Sequence, residues 1–106
     1  MKKIYIAGPI SGQPNFNIDA FDHWAEAWRD VNYEVFNPVH TEVSKRTQAG
    51  ELSGQQAYRE CLGADLDWIC REATAIFFMM GWQKSFGSLA EHATAVALGL
   101  EIFYEE

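Results

Sequence analysis

Two acidic residues stand where the surrounding pattern is apolar. Glu91 lies in the stretch 88–100, where every residue except Glu91 and His92 is apolar, small or neutral polar. A helix that is apolar almost all round is a buried helix. A carboxylate within it is costly unless it sits at the helix start or faces a cavity. Asp65 is the second case. Positions 58, 62, 65 and 69 step by four, three and four, which is one stripe of a helix. Tyr58, Leu62 and Ile69 on that stripe are apolar; Asp65 is not. A carboxylate on a buried stripe needs a partner or a purpose. Two such groups can divide their chemistry: one attacks an electrophilic carbon, and the other, kept protonated by burial, donates a proton.

Each acid also has a purely structural reading. Glu91 is in the first turn of that reading's helix, as N3 of a capping box with Ser88 as N-cap, where the helix dipole favours an anion. Asp65 is then a side chain at the stripe's edge that reaches water or pairs with a buried N–H.

Two loops flank these acids. Lys84-Ser85-Phe86-Gly87-Ser88 sets hydroxyls and a glycine at a helix N-terminus, where free backbone N–H groups, those of Ser85 and Gly87 foremost, make an anion pocket. Gly8-Pro9-Ile10-Ser11-Gly12 follows the first apolar run directly, and its glycines permit close backbone approach to a ligand. It lacks the G-x-G-x-x-G spacing of a dinucleotide site. Trp82 is placed to stack on a base or to pack in a core. No Cys/His pair has zinc-ligand spacing, so no metal and no cofactor are expected.

The elements that must position these groups follow from periodicity. Residues 3–8 form a short β-rich run stopped by Gly-Pro, a buried strand. Ile18, Phe21, Trp24, Trp28 and Val31 mark one face of a helix, with Asp22, Glu26 and Arg29 opposite. Residues 33–36 are a second strand, ended by Asn37-Pro38. Residues 40–54 are polar and unpatterned, a long loop. A helix spans about 55–72, a strand buried on both faces 74–80, a loop 81–87, a helix 88–100 and a last strand 102–104. The order β-α-β-α-β-α-β predicts a small doubly wound, flavodoxin- or Rossmann-like parallel sheet of four to five strands with helices on both faces. Ligands of such sheets sit at the carboxyl ends of the strands where strand order reverses.

Residues 1–106 fit one domain. With 48% hydrophobic residues and four Trp the composition is globular. A net charge of −7 disfavours a nucleic-acid polymer or an anionic membrane as partner, while still allowing a small anion bound locally by N–H groups. No apolar run reaches the ~20 residues that span a bilayer. Cys61 and Cys70 fall on one helix about 13 Å apart, too far for a disulfide, so both are expected as thiols in a reducing, cytoplasmic setting.

Taken together, Ile4 to Gly12, Asn37-Pro38, Ala64-Asp65-Leu66-Asp67-Trp68 and Ser85-Phe86-Gly87-Ser88-Leu89-Ala90-Glu91 resemble the nucleoside 2-deoxyribosyltransferase superfamily. The likeness is closest to its small phage and prophage domains and covers nearly the whole chain. It implies that Glu91 attacks the anomeric carbon of a sugar and that Asp65 contacts or protonates the leaving base. It further implies that Tyr5 orients the nucleophile and that Ser85 and Gly87 hold a 5′-phosphate. His40 matches a His after the second strand.

Gly8, Pro9, Ile10, Ser11, Gly12, Asn37 and Trp82 complete the expected binding set. The expected reaction is cleavage or exchange of the N-glycosidic bond of a (deoxy)nucleoside or its 5′-monophosphate. The competing expectations are a non-catalytic protein binding a nucleotide or ADP-ribose-like ligand, and an interaction module that keeps the fold alone. The apolar excess of 88–100 predicts a homodimer.

Overall fold

A computed structural model describes residues 1–106. Four strands, β1 (Lys3–Ala7), β2 (Glu34–Phe36), β3 (Ala75–Phe78) and β4 (Glu101–Tyr104), form one parallel sheet in the order β2-β1-β3-β4. Four helices connect them: α1 (Ile18–Asp30), α2 (Glu42–Gln48), α3 (Gly54–Glu72) and α4 (Phe86–Leu98). The small doubly wound α/β fold is therefore present with four strands.

The strand pleat sorts the core into two layers. Ile4 and Ile6 of β1 join Ala75 and Phe77 of β3 on one face, where Phe21, Trp24 and Trp28 of α1 cover them. Tyr5 and Ala7 join Ile76 and Phe78 on the other face, where Ile69 of α3 and Ala95 of α4 close the layer. Strand order reverses between β1 and β3: α1 carries the chain to β2, and α2 and α3 bring it back across to β3. The carboxyl ends of β1 and β3 thus open a crevice, and Tyr5 is the β1 side chain that faces it from the α3/α4 side.

Three local readings of the sequence are corrected. The polar stretch 40–54 is not one loop, because α2 forms within it. Thr41 caps that helix, its Oγ1 accepting from the Ser44 N–H at 3.1 Å, with Glu42 in the first turn and Lys45 and Arg46 in the last. The last helix begins at Phe86 rather than at 88, because Ser85 supplies the cap: its Oγ accepts from the Ser88 N–H at 3.3 Å. Glu91 accordingly lies in the second turn, beyond reach of a capping box, and no acid occupies the first turn. Finally, α4 is not buried all round. Ser88, Glu91 and Ala95 face inward, while Phe86, Leu89, Val96 and Leu98 stand exposed. A helix on an open sheet can bury only the face turned to it.

Before α1 the backbone makes an unusual turn. Asn15, Phe16 and Asn17 all have positive φ, at 48°, 55° and 59°. Three successive left-handed residues other than glycine cost roughly 1–2 kcal/mol each. The Asn17 side chain offsets part of this by donating to the Pro9 carbonyl at 3.0 Å, tying the turn to the loop after β1.

Candidate functional site

A cavity of about 510 Å³ lies at the reversal point between β1 and β3. That is ample for a small organic ligand. Its floor is a phenol flanked by two carboxyl groups. Tyr5 rises from the central strand and donates its hydroxyl proton to Glu91 Oε2 at 2.7 Å. Asp65 enters from α3, and Glu91 from α4. Both acids are buried, with 7% and 4% of their surface exposed. The stripe argument thus holds for Asp65: it lies inside, between Ile69 and the cavity, not at a wetted edge.

Burial dominates the electrostatics of this floor. It pushes the Asp65 carboxyl up to about 7, and the nearby Tyr5 hydroxyl opposes the shift. It raises Glu91 well above the usual carboxylate range, and the neighbouring Asp65 charge adds to the rise, while Tyr5 again opposes it. The Tyr5 phenol is itself raised, by burial first and then by the two acids, so it stays a proton donor. Two adjacent buried carboxyl groups with no cation beside them cannot both ionise cheaply. They hold a proton between them near neutral pH, and the Tyr5 hydroxyl stabilises negative charge that Glu91 carries.

The walls come from loops and helix ends. Gly8, Ile10, Ser11 and Gly12 follow β1, and Ser85, Gly87 and Ser88 belong to the start of α4. Gly8 is a glycine for packing: a Cβ there would stand 2.5 Å from Met79 Cε. Gly12 is one for its backbone, at φ +78°. At α4, the Ser85 N–H is already used, donating to the Trp82 carbonyl at 3.1 Å. The N–H groups of Phe86 and Gly87 precede the first intrahelical bond, made by Leu89 to the Ser85 carbonyl at 2.9 Å. They, rather than the Ser85 N–H, are the pair left without a backbone partner at this end.

The structure therefore brings together Tyr5, Asp65, Glu91, Gly8, Ile10, Ser11, Gly12, Ser85 and Gly87 around one cavity. The other sequence candidates lie apart from it. Pro9 lines a neighbouring depression together with Lys84, which shares Ser85 and Gly87 with the cavity. Asn37 and His40 both turn to Asp22 on α1, at 2.9 and 2.7 Å. Trp82 packs on Phe78 and stacks on His92 with ring centroids 4.5 Å apart. Its aromatic face is thus already occupied.

Several lining residues escaped the sequence reading. Thr47 and Gln48 come from α2, which periodicity did not reveal, and Phe16 from the left-handed turn. Gln48 also donates to the Val39 carbonyl at 2.8 Å, fixing α2 against the end of β2. The available signal was the Thr41-Glu42 cap and the Lys45-Arg46 end of a seven-residue helix. Among His, Cys, Asp and Glu no group of three is arranged to hold a metal ion.

Residues 2–104 match the family described as "Domain of unknown function (DUF4406)". No curated protein matches the chain. No helix is long and apolar enough to cross a membrane.

Proposed function

We propose that the chain, which belongs to the DUF4406 family, cleaves or exchanges the N-glycosidic bond of a (deoxy)nucleoside or nucleoside 5′-monophosphate. The observation that carries this reading is the floor of the cavity: a phenol donating at 2.7 Å to one buried carboxylate, with a second buried carboxyl group raised to about 7. The resemblance of Ser85-Phe86-Gly87-Ser88-Leu89-Ala90-Glu91 to the nucleoside 2-deoxyribosyltransferase superfamily supports it independently.

In this reading the Glu91 carboxylate attacks the anomeric carbon through an oxocarbenium-like transition state. A C–O bond forms there as the C–N bond to the base breaks. Asp65 gives its proton to the departing base nitrogen, so the base leaves neutral. Water, or a second base, then attacks the same carbon. Asp65 takes up the proton this releases, and Glu91 departs as a carboxylate. Tyr5 holds the Glu91 oxygen in place and stabilises its charge in the free protein. Free Cys61 and Cys70 thiols on α3 suit a reducing compartment, and we place this activity in the cytoplasm.

The test is incubation with a panel of nucleosides and monophosphates, following free base by chromatography. Wild type releases base from at least one of them. Glu91→Gln keeps the size and the bond from Tyr5 but removes the attacking charge, so it remains folded and its rate falls by about 10³-fold or more. A folded Glu91→Gln protein with wild-type turnover overturns the nucleophile assignment. A wild type that binds a nucleotide and never releases base makes the cavity a binding site instead.

A further inference from the structure

Ser88 is the third residue of α4 and only 2% of it is exposed, yet its hydroxyl has no hydrogen-bond partner. A serine inside a helix usually donates to the carbonyl four residues back. For Ser88 that residue is Lys84, which lies in the turn before the cap, outside the helix. The bond from Ser85 engages the Ser88 backbone N–H and leaves the hydroxyl free. Buried hydroxyls are nearly always paired, so an orphan needs a reason. The other buried orphan, Trp28 Nε1, packs among Tyr33, Phe77 and Phe103 and lines no cavity. Ser88 does line one, alongside Glu91, which stands one turn further along the same helix face.

We propose that the Ser88 hydroxyl is a ligand-binding group that hydrogen-bonds an uncharged hydroxyl of the sugar, and so selects which sugars the site accepts. This rests on the N-glycosidic reading, which puts the anomeric carbon at Glu91. The ring hydroxyls then lie within a few ångströms of that carbon, on the scale of one helical turn. The charge of the cavity excludes a phosphate as the partner. No Lys, Arg or His lines it, whereas Asp65 and Glu91 both do. An anion taken to that depth meets two acids and no countercharge. Lys84 lines the outer depression instead. A phosphorylated tail accordingly points outward, and the portion beside Ser88 is a neutral alcohol. A serine hydroxyl both donates and accepts, so it can satisfy a sugar hydroxyl in either sense.

The experiment is calorimetric binding in a Glu91→Gln background, which prevents consumption of the ligand. Adenosine, guanosine, cytidine and uridine, their 2′-deoxy forms and their 5′-monophosphates are titrated first, then the analogues of the tightest binder that each lack one sugar hydroxyl. Adding Ser88→Ala weakens the parent nucleoside about 3- to 10-fold. It leaves unchanged the affinity for the single analogue that lacks the hydroxyl Ser88 meets. Ser88→Thr, which keeps the hydroxyl, restores the discrimination. In the ligand-free protein Ser88→Ala leaves Tm unchanged or higher, because an unpaired buried hydroxyl is removed. Affinities that do not change for any ligand when Ser88→Ala is added overturn the proposal. So does a uniform loss across all analogues with a lowered Tm, the mark of a structural hydroxyl. If the Glu91→Gln protein binds none of these nucleosides, deoxynucleosides and monophosphates, the N-glycosidic reading falls and this inference with it. Binding without a Ser88 effect removes this inference alone.

Discussion

Burial raises the Asp65 carboxyl to about 7, so it titrates near neutral pH rather than in the usual carboxylate range. That shift makes the stability of the fold depend on pH in a definite sense. The folded state binds the Asp65 proton more tightly than the unfolded chain, so the stabilising contribution is complete below pH ~4 and disappears as pH rises through about 7. Asp65→Asn removes the titration. It should raise Tm at pH 8, by an amount on the order of 2–4 kcal/mol in stability, and flatten the Tm profile between pH 5 and 8. Parallel profiles for the two proteins would show that Asp65 titrates as an ordinary surface acid. If the proposed reaction operates, base release by wild type also falls above pH 7, as the proton donor is lost. At this scale the sequence was informative about acids and silent about alcohols. Asp65 and Glu91 stand out because charge on an apolar stripe breaks a pattern. Ser88 breaks none, since a serine suits a helix start and nothing in its neighbours marks its hydroxyl as unpaired.

The start of α4 is where a single cap does most to shape the site. Ser85 ends the turn formed by Trp82–Lys84 and satisfies the Ser88 N–H, which leaves Phe86 and Gly87 to present theirs. Ser85→Ala should cost about 1 kcal/mol, a fall in Tm of roughly 4–8 °C for a domain this small. Ser85→Asp, which can also cap, should retain most of the stability. Equal melting of Ser85→Ala and wild type would show that the cap contributes nothing. The strands were readable as short apolar runs, α1 and α3 from apolar residues three or four apart, and α4 as a long apolar stretch, with boundaries off by at most two positions. α4 moved furthest because Ser85 and Ser88 are both competent caps, and only the geometry of the preceding turn decides between them. α2 was missed because seven residues give two turns, too few for a period to emerge from polar side chains. The left-handed turn at Asn15, Phe16 and Asn17 carries the one local hint of two asparagines, which tolerate positive φ better than most residues.

For the molecule as a whole, the outer face of α4 is the feature that its own core leaves unused. Phe86, Leu89, Ala93 and Val96 step by three, four and three along it, and Phe86 and Val96 are 82% and 60% exposed. We propose that this stripe pairs two copies of the chain about a two-fold axis. Sedimentation at micromolar concentration should then give twice the 12.0 kDa chain mass, and Val96→Glu should return it to the single value. A wild-type protein that sediments at 12.0 kDa leaves the stripe without that role. The fold class was legible because strands alternating with helices leave few topologies. The emptiness of the outer α4 stripe was not, because an apolar helix reads the same whether a sheet or a second molecule covers it.

The sheet order also bears on how the protein is made. β1 sits at the centre of the sheet, paired with β2 on one side and with β3 on the other, so Ile4 lies opposite Ala75. On a ribosome β1 emerges first and must wait through about seventy further residues for that partner. Until then its apolar side chains have only α1 and the three-residue β2 to lean on. Such distant pairings are slow to close and leave sticky segments exposed in the interval. Tyr5 is part of the same strand, so no nascent chain shorter than β3 and α4 can assemble the floor of the cavity. The floor of the cavity is therefore among the last parts of the molecule to be acquired, waiting on both β3 and α4.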